Sequence, residues 1–348
     1  MRKTPSGTLR VVALIALLAV IGAACGDDDG TNGASGGEDL TGQIVVSGSS
    51  TVEPISALNA EKFSIENPGV DISVEGPGTG DGFELFCNGE TDVSDASRPI
   101  DLEEEAPNCE KNGIEYIELK VGIDGLSVLT GTDNTEIECL DYYDLYALLG
   151  PESEGFANWS DANGLAEEVG AGNAPYPDVP LDVTAPGEES GTYDSFAELV
   201  LEDIAYEERK IEEDAPVIRP DYQSSPNDNV IIEGISGSAS SLGWVGFAFY
   251  QQNTETVRAI PVDGGDGCVE PSVETIEDGS YPIARDLYVY VNAANVAEND
   301  ALAAFVDFYL SEEGLLSVSE SGYVDLPDDE IDATLTAWQD KATGSREG

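Results

Sequence analysis

The sequence predicts an α/β protein of two lobes, with the chain crossing between them twice. Three observations carry this reading. Apolar β-branched runs alternate with stretches of helical spacing along most of the chain. At three places a strand empties through a Gly/Ser-rich turn into a helix. Two further apolar runs, residues 121–129 (VGIDGLSVL) and 281–291 (YPIARDLYVYV), are placed to carry the chain out to a second lobe and back.

The first strand–turn–helix unit is IVVSGSSTVEP, residues 44–54. Ile44, Val45 and Val46 form the strand, residues 47–51 the turn, and Pro54 lies in the first helical turn. Such a turn is a ready anion cradle, because the first N–H groups of a helix have no partner inside it and its dipole favours negative charge. The competing expectation is that Ser50 or Thr51 merely caps its own helix. A helix over residues 55–66 ends at Asn67-Pro68-Gly69, and a strand follows at 70–74. The second unit is GPGTGDGF, residues 76–83, whose spaced glycines let the backbone approach a ligand. It matches neither GxGxxG nor GxxxxGK[ST], so nucleotide binding is not indicated.

Residues 92–100 (DVSDASRPI) put Arg98, a scarce cation in this chain, beside Ser97. Strands are expected at 114–119 and 121–129, a Tyr-rich helix at 140–149, a short helix at 165–169 and a strand at 181–184. The third unit, PGEESGTYDSF (186–196), leads into a helix over 193–204, with Ser190, Gly191 and Thr192 at its start. Residues 225–229 cap a helix over 230–235. The apolar run LGWVGFAFY (242–250) is expected as one buried strand, and another strand is expected at 258–262. Helices at 301–310, 314–319 and 331–340 complete the chain.

Charge sets the outer limits on function. The 348 residues carry 14 Lys plus Arg against 70 Asp plus Glu, a net −56. Such a surface repels nucleic acid and anionic lipid. No His is present, which removes Ser-His-Asp and Cys-His catalysis and every His-bearing zinc site. No GxSxG or metal-ligand spacing stands out, so no enzyme, cofactor or metal is expected.

Residues 1–24 read as a signal peptide, with Arg2, Lys3 and Arg10 before an apolar run. Gly22-Ala23-Ala24-Cys25 resembles a lipobox, with Cys25 lipidated and a flexible acidic tether over 25–42. The other four cysteines suggest two disulfides in an oxidising compartment. Three pairings are open; Cys87–Cys109 is the local one and leaves Cys139–Cys268.

Taken in order, SGSSTVEPI, GPGTGDGF, DVSDASRPI, PGEESGTYDSF, SPNDNVIIEGISGSASSLGWVGFAFY and YPIARDLYVYVN resemble the phosphate-binding lipoproteins of bacterial phosphate ABC transporters, the PstS family, over roughly residues 43–330. The resemblance implies a two-lobed type II periplasmic-binding-protein fold with hinge crossings and a ligand cleft between the lobes. Lobe I would comprise 43–125 and 282–348, and lobe II 126–281. The chain would be a monomer, anchored to the membrane by lipid outside the cytoplasm. It would close on inorganic phosphate and deliver it to permease subunits. By position, phosphate contacts fall on Thr51, Val52, Thr79, Ser97, Ser190, Gly191 and Thr192, with Ser50 as a neighbour.

Two departures from the family pattern matter. Better-known members have an Arg four residues before the Ser of SGT, where this chain has Pro186, and a carboxylate where Ser97 stands. Arg98 is the expected replacement guanidinium. Glu188, Glu189, Asp194 and Asp95 are the candidate acceptors for the proton of hydrogen phosphate. Two alternatives remain: a binder of another oxyanion (sulfate, tungstate or molybdate), and a surface protein that senses phosphate without transport.

Overall fold

The structure, a computed structural model, describes residues 40–188, 190–212 and 215–346. The expected signal segment, Cys25, most of the tether and Glu189 lie outside the described residues.

Strand β1 (Gly42–Gly48) leads into helix α1 (Glu53–Glu66), and β2 (Val70–Glu75) into α2 (Thr79–Cys87). Strand β3 (Val93–Ala96) and helix α3 (Ala106–Asn112) follow. The sequence predicts two strands after α3, but the structure has one, β4 (Tyr116–Gly131), sixteen residues long. Lys120 interrupts the apolar pattern there, yet its ammonium pairs with Asp286 at 2.8 Å and Glu330 at 3.4 Å, so the strand carries the charge without breaking. After β5 (Leu140–Asp141) comes α4 (Tyr142–Leu149), started by a reciprocal capping box between Asp141 and Asp144. Next are α5 (Asn163–Val169), β6 (Asp182–Ala185) and α6 (Gly191–Phe196). The predicted helix over 193–204 is real but changes pitch, continuing as π-helical turns over Ala197–Leu201 and Asp203–Glu208.

Strand β7 (Gln223–Ser224) precedes α7 (Asp228–Ser236), whose cap is Asn227. The run 242–250 is a second correction. It splits at Gly246 into β8 (Ser241–Gly246) and α8 (Phe247–Gln251). Its periodicity could not separate the two, since every residue is apolar. Short strands β9 (Val257–Ala259), β10 (Val262–Asp263) and β11 (Cys268–Val269) and helix α9 (Val273–Glu277) lead to β12 (Ala284–Asn292). Helices α10 (Ala293–Glu298), α11 (Asp300–Tyr309), α12 (Glu312–Glu320) and α13 (Asp328–Gln339) end the chain.

The main sheet has the order β2-β1-β3-β12-β4-β8-β6-β7, and β9 also pairs with β4. Strand β1 runs parallel to β2 and β3, as strand–helix–strand crossovers require. Strands β12 and β4 are antiparallel neighbours along nearly the whole of β12, and they link the two ends of the sheet. Buried apolar side chains form two large cores. One is built from β1, α1, α11 and the facing residues of β4 and β12, including Ile44, Phe63, Leu119 and Phe305. The other is built from α4, α6, β6 and β8, including Tyr146, Phe196, Leu242 and Trp244. Phe196 and Trp244 stack in it at 4.2 Å between ring centroids.

Both disulfides of the local pairing are present, Cys87–Cys109 and Cys139–Cys268. The first ties α2 to α3; the second ties the segment before β5 to β11. No helix among the described residues is long and apolar enough to cross a membrane.

Candidate functional site

The β1–α1 turn is the meeting point of the site: the β2–α2 turn and the end of β3 lie against it, as does the start of α6 after β6. The β1–α1 turn is pulled against β3 by a bond from the Ser49 N–H to the Asp95 carbonyl, 2.8 Å. Gly48 makes this approach feasible: a Cβ there would lie 2.0 Å from the same carbonyl oxygen. Neither Ser50 nor Thr51 caps α1, whose N-cap is Val52 with no side-chain bond. The hydroxyls go elsewhere. Ser50 donates to the Asp194 carboxylate at 2.7 Å, and Thr51 meets Ser195 at 3.0 Å between hydroxyl oxygens. The capping alternative is therefore overturned: both hydroxyls point across to α6. Gly191 permits that contact, because a Cβ on it would sit 3.0 Å from the Ser50 carbonyl oxygen and 3.3 Å from the Thr51 Cα.

The second turn supplies Thr79, the first residue of α2. Its hydroxyl lies 3.0 Å from that of Ser97 and accepts the Ser97 N–H at 3.2 Å. At the third turn Ser190 caps α6 and accepts the Thr192 N–H at 3.2 Å. The Val52 N–H, an expected ligand donor, faces the Ser49 carbonyl at 3.2 Å.

Thr79, Ser97, Arg98 and Arg285 line one cavity of about 710 Å³, together with Glu198, Glu202 and Asp286. A cavity of about 770 Å³ lies elsewhere, beside β6 and α7, and contains none of the cradle residues. Arg98 reaches the rim of the first cavity, but its guanidinium is spent. It forms a two-pronged pair with Glu105, 2.8 Å on each side, and lies over the Phe83 ring. That bond to Glu105 also raises its pKa.

Four residues that sequence reasoning passed over are central here. Arg285 donates to Thr51 at 3.1 Å and to Ser195 at 2.8 Å, and its other terminal nitrogen is paired with Glu198. Its Nε lies 3.7 Å from Asp124, the residue directly opposite it across β4 and β12. One signal was available: Arg285 is one of only 14 basic residues. Its partners depend on strand register and were not legible.

The candidate proton acceptors sit in different settings. Asp194 is half-buried, and burial raises its pKa despite the bond from Ser50. Asp95 is fully buried within β3, where Ser56 donates to it at 2.8 Å; burial pushes its pKa up to about 7. Glu188 is exposed. Among the groups not anticipated, burial and the charge of Glu198 push Glu202 up to about 7, and burial raises Asp124.

Comparison with known proteins identifies the family. Residues 33–313 match the model of the PBP superfamily domain. The phosphate-binding protein PstS of Staphylococcus haemolyticus is 33% identical over 312 residues, 89% of each chain. This chain belongs to the PBP superfamily, in the family of PstS proteins. Protein SphX of Synechocystis is 36% identical over 288 residues, 82% of this chain and 79% of SphX. A crystal structure described as a possible phosphate binding protein of Planctomyces limnophilus is 34% identical to this PstS-family chain. It superposes with a TM-score of 0.77, covering 87% of this chain and 99% of the other. An ABC-type phosphate transport receptor of Vibrio cholerae, 21% identical with a TM-score of 0.58 over 82% of this chain and all of the other, shares the fold.

Proposed function

We propose that this PstS-family chain is the extracytoplasmic solute-binding component of a phosphate ABC importer. It captures inorganic phosphate in the cleft described above and passes it to permease subunits. The observation that carries the reading is the meeting of the first and third turns, Ser50 with Asp194 and Thr51 with Ser195, beside the Thr79–Ser97 pair. Thr79 and Ser97 line the cavity, and Arg285, which lines it too, bonds Thr51 behind it, so hydroxyls of the first two turns gather around one cation, which suits an oxyanion held largely through neutral donors. Relatives carrying the name phosphate-binding protein PstS support phosphate as that anion.

In this reading the contacts come from Thr51, Val52, Thr79, Ser97, Ser190, Gly191 and Thr192, with Ser50 beside them and Arg98 at the rim. Residues 43–125 with 282–348 act as one lobe and 126–281 as the other, with β4 and β12 as the hinge. Asp194 is the acceptor best placed for the phosphate proton, since it already faces Ser50 and the α6 turn. Such an acceptor excludes sulfate, which has no proton to offer at neutral pH. The chain is a monomer, exported by its leader and tethered through lipid on Cys25.

Calorimetric titration of the purified protein with phosphate and, separately, sulfate tests the proposal. Phosphate heat without sulfate heat is the expected result. Heat from both points to a general oxyanion binder, and heat from neither overturns the reading.

A further inference from the structure

A cleft that binds a phosphate dianion gains from one guanidinium, and the third turn of this chain, residues 186–196, carries none. Arg98 does not fill the gap, because its fork is engaged by Glu105. Arg285 is differently placed. Its side chain is 12% exposed and lines the same cavity as Thr79 and Ser97. It bonds Thr51 of the first turn and Ser195 just past the third, so it stands at the junction of both.

The surroundings of Arg285 divide into fixed and movable parts. Asp124 is fixed: its side chain is 2% exposed, it faces Arg285 in strand register, and it is held in the sheet. Glu198 is movable. It projects from the π-helical stretch after α6, its side chain is 44% exposed, and its carboxylate accepts from Arg285 Nη1. Glu198 thus sets one carboxylate oxygen on a terminal nitrogen of Arg285 in the cavity that both residues line, where an oxyanion's oxygen would sit.

We propose that Arg285 is the guanidinium of the oxyanion site and that Glu198 is its resident anion, displaced when phosphate enters. Glu198 and the ligand compete for one cation in a chain with few of them. The competition lowers affinity by the free energy of the internal pair, and it speeds release because Glu198 returns as phosphate leaves.

This inference rests on the oxyanion reading, so the experiment separates the two. Wild type, Glu198→Gln, Arg285→Lys and Arg285→Gln are titrated with inorganic phosphate and with sulfate after removal of bound anion. Wild type that binds neither anion overturns both proposals. With binding by wild type established, Glu198→Gln is expected to tighten phosphate roughly tenfold or more, the scale of one removed competing charge at a partly screened site. A gain in affinity is not a result that misfolding produces. Arg285→Lys retains charge but not the fork and is expected to bind weakly, and Arg285→Gln to lose binding. Unchanged or weaker phosphate binding by Glu198→Gln overturns the displacement, and wild-type affinity in Arg285→Gln overturns the assignment of the guanidinium.

Discussion

Thr51 and Ser195 lie 144 residues apart in the chain, and their hydroxyl oxygens meet at 3.0 Å. Both are buried, and both also bond Arg285. This contact joins the first turn to α6. Replacing Thr51 with Val keeps the shape and removes the hydroxyl. The expected loss is about 1.5–3 kcal/mol of phosphate binding, the range for a hydrogen bond to a charged partner. Calorimetry of Thr51→Val reads this directly; affinity equal to wild type would place the anion away from the β1–α1 turn.

Arg98 and Glu105 form a two-pronged ion pair at the rim of the cavity, but the Arg98 side chain is 46% exposed. Arg98→Ala is therefore expected to weaken phosphate binding about threefold at most, in keeping with the small net value of exposed pairs. A loss of a hundredfold or more would restore Arg98 as the ligand-binding guanidinium.

Asp95 makes stability depend on pH in an identifiable direction. Its native carboxyl keeps a proton up to about pH 7, whereas the ordinary value is 3.8. Between those values the folded chain binds more protons than the unfolded chain, so this group costs stability as pH rises through that window. The full gap corresponds to about 4 kcal/mol at most. Asp95→Asn cannot ionise and still accepts from Ser56. Relative to wild type, the variant should gain stability in urea unfolding on going from pH 4.5 to pH 8. A constant difference between the two proteins across that range would show that Asp95 ionises normally.

The two disulfides close loops of very different size, with sequence separations of 22 for Cys87–Cys109 and 129 for Cys139–Cys268. Chain-entropy reasoning assigns roughly 3 kcal/mol to a short loop and over about 4 kcal/mol to one beyond a hundred residues. Replacing Cys139 and Cys268 with Ser should lower the unfolding midpoint more than the same change at Cys87 and Cys109. The reverse order in parallel denaturant curves would mean that local strain or residual denatured structure outweighs loop length.

Much of the cleft was legible in the sequence because its parts are local. Ser47-Gly48-Ser49-Ser50-Thr51 follows a β-branched run, and that order alone implies strand, turn and helix start. The same logic located Thr79 and Ser190, and the local cysteine pairing agreed with the structure. Errors arose where a local pattern served two states. Lys120 divides an apolar stretch into two apparent strands, but Asp286 and Glu330 satisfy its charge and β4 runs on. In the run 242–250 every position is apolar, and only the backbone at Gly246 separates strand from helix.

What the sequence by itself determined is the alternation of strands and helices, the three hydroxyl-bearing turns, and a strongly acidic net charge. Those properties follow from side-chain type and short-range spacing. What only the tertiary structure decided is which charge serves the cleft. Arg98 is adjacent to a cradle serine in sequence, yet it turns to Glu105. Arg285 lies ninety residues beyond Ser195, yet pairing of β12 with β4 sets it opposite Asp124 and within reach of Thr51, Ser195 and Glu198. Cross-strand register is a long-range property: it arises from burying two faces of a sheet together, and no local spacing encodes it.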